Sequence, residues 1–333
     1  MNSSFKNQAK TLFAILFSIS LLFFISGCDD AGSSSPNNNL TFSISGFGQL
    51  NTATDGMYEA WVYFGDPYNY YISCGKFNID AQGNVVDQNG NAKTLKLGWR
   101  PYDFNTAKYG LISIDPPSFS DTSAPPIKLV IVAGDVSISG DTLTSVMSMS
   151  HPKAMGNVVN MFSASTSSFM LYTPTDTTQV HWFNGIWFCG TDTVSSIVNL
   201  PILPDSLSWH YRAWIYDGYG HTYSDIGVFL NPYGADYDGA GQYKGPGNGF
   251  PRPGQDWITG GTINDLRNAF YAVIICLEPV NPAYPNGFSS HFMQIYYGAT
   301  GTTPLPTMGE LKPIQNKSAN LPAATMKIGN LTQ

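Results

Sequence analysis

The sequence has few charged residues, since Asp, Glu, Lys and Arg together make up only 12% of it. This is about half the share found in an ordinary globular domain. Basic residues are the scarcer kind, with 16 Lys and Arg against 23 Asp and Glu. A nucleic-acid-binding protein needs a concentration of basic side chains. The composition therefore argues against nucleic acid as a partner.

Long amphipathic helical patterns are also scarce. No long stretch repeats its apolar residues at spacings of three and four, and the best helical candidate is the short segment 262–270, TINDLRNAF. The chain is instead rich in aromatic residues, at 14%, and contains 33 Gly and 22 Pro. This composition is typical of short strands joined by turns. We therefore predict an all-β protein with short helical turns only.

Several motifs of metal and catalytic chemistry are missing. The sequence has no CxxC, HExxH or Gly-x-Ser-x-Gly motif, and its five histidines are scattered, so neither a zinc site nor a serine hydrolase is expected. Three cysteines, Cys74, Cys189 and Cys276, stand in apolar runs. We interpret them as buried thiols, while a disulfide between two of them stays open for an exported protein. The sequence predicts no enzyme and no cofactor.

The N-terminus indicates export and lipidation. Lys6 and Lys10 precede the apolar run TLFAILFSISLLFFI, which at about fifteen residues is short of the roughly 20 that a spanning helix needs. The run ends in Ile25-Ser26-Gly27-Cys28, which resembles the lipobox of bacterial lipoproteins. The resemblance implies cleavage before Cys28 and acylation of that residue. Several acyl chains together anchor a protein stably in a membrane.

These features predict where the protein resides. A signal peptide would occupy residues 1–27, and a Ser/Asn-rich flexible tether residues 28–39. The 306 residues that follow the signal peptide carry 14 basic and 23 acidic side chains, a net charge of −9, which disfavours anionic lipid headgroups as well as nucleic acid. We expect a protein of the bacterial cell envelope, lipid-anchored to a membrane and periplasmic or surface-exposed. The choice between inner and outer membrane stays open.

One pattern of strand landmarks occurs twice in the chain. MYEAWVY, at 57–63, and HYRAWIY, at 210–216, share Tyr-x-Ala-Trp-(Val/Ile)-Tyr. In both copies a Gly-x-Phe motif follows, and then an apolar stretch that ends in an acid and a proline. The later landmarks are Gly75, Phe77, Asp115 and Pro116 in the first copy, and Gly227, Phe229, Glu278 and Pro279 in the second. Their common order predicts an internal duplication.

The duplication predicts two tandem antiparallel β-sandwich domains, placed at residues 40–155 and 156–310, with a C-terminal tail at 311–333. The second copy carries an insert at 231–257 that is dense in Gly, Pro, Asp and Tyr. Because this composition is unsuited to a sheet, we expect the insert to lie over the surface as a loop. A loop of this length in a compact domain is usually functional or disordered.

Strand alternation assigns side chains to opposite faces of the duplicated strand. Ala60 and Ala213 occupy equivalent positions and are expected to pack against a core that requires a small side chain. At the neighbouring position one copy has Glu59 and the other Arg212. This exchange of an acid for a base predicts that the position reaches solvent at a sheet edge.

The unit resembles the extracytoplasmic domain of anti-sigma-K factors, whose pattern is Tyr-x-x-Trp-Val, then Gly-x-Phe-x-x-Asp-x-x-Gly, then a strand ending in Leu-Glu-Pro. The matching segments are YEAWVY, GKFNIDAQG and CLEPVNPAYPNG. The first copy departs from the pattern with Asp-Pro in place of Glu-Pro, and both copies lack a following Gly-Gly. The segment 169–188 looks like the join in bacterial lipoproteins with tandem domains of this kind.

This resemblance implies a β-sandwich fold in each repeat. Anti-sigma factors hold their sigma factor with a cytoplasmic helical domain and cross the membrane with a helix. The sequence shows neither feature, because its apolar run belongs to a lipoprotein signal. We therefore expect no sigma factor as a partner.

The candidate ligand-binding residues are aromatic, since exposed Tyr and Trp on a rigid sheet present flat apolar faces with polar tips. Alternatively, these rings could cover sheet edges and contacts between domains. Two acids of the insert, Asp236 and Asp238, are two residues apart and could share a calcium ion. The aromatic candidates are Tyr68, Tyr70, Tyr219 and Tyr223 in the turns, and Tyr237, Tyr243 and Trp257 in the insert.

Taken together, these patterns predict a membrane-anchored lipoprotein with a non-catalytic extracytoplasmic binding or assembly role. Its partner would be a cell-envelope protein or a glycan, and the insert at 231–257 is the preferred contact site. A carbohydrate-binding surface protein is one alternative, and a hydrolase with an unrecognised site is another. A groove lined by aromatic rings would favour the first alternative, and a pocket with convergent acids the second.

Overall fold

Strands dominate the structure, a computed structural model that describes residues 39–98, 103–118, 124–125, 129–261, 263, 265–268, 270–280, 288–301 and 304–329. The helical elements among these residues are 3-10 helices, and the longest spans Gly156–Ala164. The prediction of an all-β fold with short helical turns is confirmed. The described residues of segment 262–270 form turns rather than a helix.

The described residues form one compact unit. The predicted signal peptide, Cys28 and the tether up to residue 38 lie outside them. Within the described part, no helix is long and apolar enough to span a membrane.

Eighteen strands are described, and their hydrogen-bonded pairing divides them between two antiparallel sheets. The first sheet has the order β4-β3-β2-β6-β7-β8-β18-β1-β5, and the second β13-β12-β15-β16-β17-β9-β10-β14, with β11 paired to β9. The strands are β1 (Asn39–Ser45), β2 (Met57–Phe64), β3 (Tyr70–Ile79), β4 (Val85–Val86), β5 (Leu95–Lys96), β6 (Ala107–Asp115), β7 (Val130–Ser139), β8 (Thr142–Ser148), β9 (Thr166–Leu171), β10 (Gly185–Trp187), β11 (Ile197–Val198), β12 (Trp209–Asp217), β13 (Thr222–Phe229), β14 (Gly254–Asp256), β15 (Tyr271–Pro279), β16 (Gln294–Ala299), β17 (Leu311–Asn316) and β18 (Ala323–Ile328).

The duplication is confirmed at the level of residue register. In the first sheet Ala60 pairs with Gly75 and a β-bulge follows before Trp61. In the second sheet Ala213 pairs with Gly227 and a bulge follows at the same place. The strand-end acids also occupy equivalent positions. The pair Tyr58–Phe77 of the first sheet is equivalent to Tyr211–Phe229 of the second. The pair Met57–Asp115 is likewise equivalent to His210–Glu278.

Both faces of the duplicated strand are buried. Ala60 and Ala213 are fully buried in the main hydrophobic core, as the alternation predicts. The expectation that the neighbouring position reaches solvent is wrong, because Glu59 is only 2% exposed and Arg212 is half-buried. β2 lies between β3 and β6, and its second face packs around the fully buried Trp61. A central strand has no free edge at which a charge could meet solvent.

The segment 311–333, predicted as a tail, instead supplies two strands. β17 pairs with β16 and β9 in the second sheet. β18 pairs with β8 and β1 and so completes the first sheet. A strand placed between two others satisfies backbone hydrogen bonds along both of its edges, which explains why these residues do not remain a tail.

The insert at 231–257 is only partly a surface loop. Its last residues form β14, which pairs with β10 and ends the second sheet. β5 takes the corresponding end position beside β1 in the first sheet. The insert therefore returns to the sheet, and both ends of the insert are held in place. This contradicts the prediction that its composition excludes the insert from the sheet.

Candidate ligand cavity

The second sheet curls until its end strands, β13 and β14, come into contact. Asp236 of the insert lies at this seam, and its Oδ2 accepts a hydrogen bond of 2.9 Å from the Gly254 backbone N–H. Gly227 of β13 approaches so closely that a Cβ there would lie 2.7 Å from the Asp236 carboxyl carbon. Glycine at position 227 is thus required both by this contact and by its φ of +131°.

A cavity of about 670 Å³ opens beside the seam. Its volume lies within the roughly 300–1,000 Å³ that is usual for small-molecule sites. One wall comes from β13, another from β14 and the residue after it, and the third from the insert. The lining residues are Ser224, Asp225, Asp238, Gly241, Gln242, Tyr243, Gln255 and Trp257.

Two aromatic rings form the apolar part of the lining. Trp257 is 5% exposed, and its backbone N–H donates to the Asn184 carbonyl at 2.8 Å. Tyr243 is half-buried, and its carbonyl accepts hydrogen bonds from the N–H and the hydroxyl of Thr259. These bonds fix the backbone that carries both rings. The rings thus offer a ligand apolar surface that is already positioned.

Gln255 lines the cavity with a buried side-chain amide. Its side chain is 6% exposed, and its Oε1 has no hydrogen-bond partner in the described part of the chain. The Gly241 backbone, with φ of +82°, closes over this amide, since a Cβ there would lie 2.3 Å from the Gln255 Cδ. Leaving a buried acceptor without a donor costs about 1–3 kcal/mol.

Asp236 and Asp238 form a coupled pair at the edge of the cavity. Burial, together with the charge of Asp238, raises the pKa of Asp236 to about 8. Burial also raises the pKa of Asp238, although this side chain is exposed on the cavity side. Asp236 Oδ1 accepts no hydrogen bond from any described donor. At neutral pH the buried Asp236 therefore holds a proton, while Asp238 belongs to the lining of the cavity.

The other lining carboxylate, Asp225, is neutralised by Arg212. The guanidinium donates to Asp225 Oδ2 through Nε at 3.1 Å and through Nη2, and its Nη1 lies 3.7 Å from Glu278 Oε2. The same guanidinium stacks 4.7 Å above the Trp214 ring, whose Nε1 donates to Glu278 Oε1 at 2.8 Å. The charge of Arg212 also acts on Asp238, at a longer distance than its contacts with Asp225 and Glu278.

The structure brings together part of the predicted site. Asp238, Tyr243 and Trp257 line the cavity, and Asp236 lies directly behind it. Tyr237 is not part of the lining, because its side chain is 69% exposed.

The aromatic turn residues lie elsewhere. Tyr68 and Tyr70 pack against each other, with ring centroids 5.5 Å apart. Tyr219 is 85% exposed, and Tyr223 stacks on His291 at 3.8 Å. None of them lines the cavity.

Sequence reasoning missed four polar lining residues. Asp225 and Ser224 belong to a strand, and their sequence context carries no motif. Gln255 follows the strand residue Gly254, and a glutamine in a Gly/Pro-rich segment does not indicate burial. The missed residues are Ser224, Asp225, Gln242 and Gln255.

The calcium hypothesis rests on two carboxylates only. Over the described ranges, no group of three or more His, Cys, Asp or Glu side chains could hold a metal ion. The three cysteines are buried with free thiols, which agrees with their interpretation as small apolar residues. Burial raises the pKa of Cys189 to about 12, so its thiol stays protonated.

The lining of the cavity combines polar and aromatic side chains. It presents two carboxylates, two side-chain amides, a hydroxyl and two aromatic rings. Such a lining can accept several hydrogen bonds from hydroxyl or amino groups while a ring covers an apolar face. Comparison of the chain with protein-family models, with curated proteins and with solved structures found no match.

Proposed function

We propose that this chain is a lipid-anchored, non-catalytic binding protein of the bacterial cell envelope, and that its second repeat binds a saccharide. The cavity between β13, β14 and the insert carries this proposal. The lipobox at Cys28 and the resemblance of the repeats to the extracytoplasmic domain of anti-sigma-K factors both favour a location outside the cytoplasm. No sigma factor is part of the proposed function.

The lining has the composition that saccharide recognition requires. A sugar ring has hydroxyl groups around its edge and apolar C–H groups on its faces. Tyr243 and Trp257 offer aromatic surface for the faces, while the side chains of Asp238 and Gln255 offer polar groups for the hydroxyl groups. The volume of about 670 Å³ accommodates more than a single ion or water molecule.

A hydrolase is the second candidate, and the Asp236–Asp238 pair favours it. A protonated carboxylic acid beside a carboxylate can act as general acid and general base, and raised pKa values cluster at catalytic sites. The pKa of Asp236 is raised to about 8. Against catalysis stands the position of Asp236, which is behind the cavity wall and not part of the lining.

Calorimetric titration of the full chain in detergent tests the proposal. The probes are three β-1,4-linked tetramers, of glucose, glucosamine and N-acetylglucosamine. We expect at least one to bind, and Tyr243→Ala to weaken that binding about ten-fold or more. The matched control is Tyr219→Ala, because this tyrosine is 85% exposed and lies outside the cavity.

Failure of all three tetramers to bind, with protein that melts cooperatively, would rule out the saccharide proposal. Equal losses in both tyrosine variants would place the binding outside the cavity. Analysis of the tetramers after incubation separates the two candidates, since shortened products would support the hydrolase.

A further inference from the structure

We infer that Asn89 is a site of spontaneous deamidation, at which an exposed turn of the first sheet converts with time to aspartate and isoaspartate. The sequence contains four Asn-Gly pairs, the pattern most prone to this reaction, because glycine has no side chain to shield its backbone nitrogen. Three pairs lie within the described residues, at 89–90, 184–185 and 248–249, and the fourth, at 286–287, lies outside them. This inference is independent of the proposed function.

The reaction requires an asparagine side chain that can reach the next backbone nitrogen. The Gly90 nitrogen attacks the Asn89 Cγ and loses its proton as the new C–N bond forms. The bond from Cγ to Nδ2 breaks, and ammonia leaves. Water then opens the cyclic imide at one of its two carbonyls. One opening gives aspartate, and the other gives isoaspartate, whose backbone runs through the side-chain carbonyl and is one methylene longer.

Asn89 has the surroundings that this attack needs. Asn89 and Gly90 are exposed, and no described hydrogen bond involves the Asn89 side chain. A Cβ at Gly90 would meet no atom within 4 Å, so the turn has room to rotate. The Gly90 N–H donates to the Asp87 carbonyl at 3.1 Å. Local opening of one hydrogen bond in an exposed turn costs little free energy, so this bond does not prevent the reaction.

The other two described pairs are held by packing. Asn184 is 9% exposed, and a Cβ at Gly185 would lie 1.9 Å from the Tyr172 carbonyl oxygen. A Cβ at Gly249 would lie 2.9 Å from the Trp187 ring. The imide forms only if the backbone rotates, and close packing on both glycines resists this rotation. Local unfolding must therefore precede the reaction at these two pairs.

A second turn of the same construction lies next to the first. Residues 80–84 and 87–91 share the pattern Asp-x-x-Gly-Asn. The glycine N–H donates to the carbonyl of the first Asp, at 3.0 Å in one turn and 3.1 Å in the other. The N–H of the residue before glycine donates to Oδ1 of that Asp, at 2.9 and 2.8 Å. This residue is Gln82 in one turn and Asn89 in the other, so the same turn accepts either amide.

Deamidation should loosen the end strand of the first sheet. β4 lies between the two turns and pairs with β3. The turn at 87–91 brings the chain back to β4, since the Lys93 N–H donates to the Val85 carbonyl at 3.1 Å and Ala92 forms a bridge with Val86. Isoaspartate adds a methylene to this turn and so disrupts its hydrogen bonds. The amides of β4 should then exchange faster with solvent.

Incubation of the full chain in detergent, at physiological temperature and mildly alkaline pH, tests the inference. Peptide mass spectrometry measures deamidation at each pair over time, and enzymatic methylation measures isoaspartate. We expect Asn89 to react at least about ten-fold faster than Asn184 and Asn248, because the packed pairs must unfold locally first. In the aged protein, hydrogen exchange should become faster in β4 and stay unchanged in β6, at the centre of the first sheet.

Two variants connect the reaction to the turn. Asn89→Gln should remove the modification and keep the stability, because glutamine reacts far more slowly and Gln82 already occupies the equivalent place. Hydrogen exchange of β4 in this variant should not change on ageing. Gln82→Asn should create a new site before Gly83, and its rate should agree with that of Asn89 to within about three-fold, since the two turns have matching hydrogen bonds.

Each contrary result overturns a part of this inference. Equal rates at Asn89 and Asn248 would show that packing does not control the reaction. An unmodified Asn89, over a period in which the urea-unfolded chain reacts fully, would show that the folded turn protects it. An unreactive Gln82→Asn variant that melts like the wild type would contradict the role of the turn. Unchanged exchange of β4 in the deamidated protein would contradict the structural effect.

Discussion

At the residue scale, the two repeats form equivalent tryptophan hydrogen bonds with different side chains. Trp214 Nε1 donates directly to Glu278 Oε1 at 2.8 Å. In the first repeat the strand-end acid is Asp115, which is one methylene shorter. Here Trp61 Nε1 donates to Ser113 Oγ at 3.1 Å, and Ser113 Oγ donates to Asp115 Oδ1 at 2.8 Å. The serine bridges the gap that the shorter acid leaves, so the indole N–H is satisfied in both repeats.

The charges next to this tryptophan are also exchanged between repeats. In the second repeat the cation is Arg212, on the same strand as the tryptophan. In the first repeat that position is Glu59, and the cation comes from Lys76 on β3. Lys76 Nζ lies 3.2 Å from Asp115 Oδ2 and 3.7 Å from Glu59 Oε2. One lysine thus serves two buried acids, so one of these acids holds a proton at neutral pH.

Glu59 should therefore make stability dependent on pH. Its pKa is raised from 4.5 to about 8, first by burial and then by Asp115. Between these values the folded protein holds a proton that the unfolded chain has released. The free energy of unfolding should fall as the pH rises from about 4.5 to 8, at no more than about 1.4 kcal/mol per pH unit for this group. Urea unfolding of the wild type and Glu59→Gln at several pH values should give a shallower slope in the variant.

The control for this prediction is Glu310→Gln. Its interaction with Lys312 holds the pKa of Glu310 at about 2, so this group is ionised in both states above pH 5 and should not change the slope. An identical pH dependence in Glu59→Gln and the wild type would show that Glu59 is ionised in the folded protein.

At the element scale, both edge hairpins contain a β-bulge with a glycine in the left-handed φ range. Gly75 has φ of +114° and Gly227 has φ of +131°. The two sites differ in what lies next to them. A Cβ at Gly75 would lie 3.3 Å from the Leu95 Cδ2, whereas a Cβ at Gly227 would lie 2.7 Å from the Asp236 carboxylate. A flexible leucine can move, but the buried acid at the seam cannot.

Alanine at these two positions should therefore destabilise the protein unequally. Each substitution forces a side chain into unfavourable φ, which costs about 1–3 kcal/mol. Gly227→Ala adds overpacking against Asp236, which costs about 1–3 kcal/mol more. Chemical denaturation at one pH should place Gly75→Ala above Gly227→Ala in stability. In an Asp236→Ala background the difference should largely disappear, and persistence of the full difference there would contradict this account.

At the scale of the whole molecule, the repeats exchange their last strands. The strand orders of the two sheets match when β1–β9 are set against β10–β18, a division that places β9 at the end of the first half rather than in the predicted range 156–310. β9 nevertheless pairs with β17 and β10 in the second sheet, and β18 pairs with β8 and β1 in the first. The end of β17 bonds to the connection that precedes β9, since Asn316 Nδ2 donates to the carbonyls of Phe162 and Ser165 at 2.7 and 2.9 Å. Each sheet therefore depends on both halves of the chain.

Removal of residues 317–333 should open the first sheet. β18 carries Met326 and Ile328, both fully buried, and each such side chain contributes about 1.5–3 kcal/mol on burial. We expect the truncated chain to lose its cooperative unfolding transition, and a synthetic peptide of residues 317–333 to restore it in trans. The control peptide carries Met326→Asp and should not bind. An unchanged transition midpoint in the truncated chain would refute the dependence on β18.

Lipid anchoring is tested by Cys28→Ala. If Cys28 carries the lipid, the variant should move from the membrane fraction to the soluble fraction after cell lysis, because acyl chains supply the membrane affinity. Fractionation followed by immunoblotting measures this shift. Membrane association of the variant in the absence of detergent would argue against the lipid anchor.

Part of the fold could be predicted because its causes are local. The alternation of side chains around Trp61 and Trp214 indicates strands, because it depends only on residues that are adjacent in the sequence. The Gly-x-Phe motifs that follow indicate bulges for the same reason. Of the candidate site, the sequence predicted only the insert and three lining residues, Asp238, Tyr243 and Trp257. The burial of Glu59 could not be predicted, because the residues that surround its side chain belong to other strands.

The sequence by itself determined the all-β composition, the twofold repeat of strand landmarks and the aromatic, acidic character of the insert. Only the tertiary structure decided that β9 and β18 change sheets, since antiparallel pairing joins segments far apart in the chain and carries no local pattern. It likewise decided that Gln255 and Asp225 face one cavity. That convergence depends on how the second sheet curls until β13 meets β14, and the curl results from packing across the whole sheet.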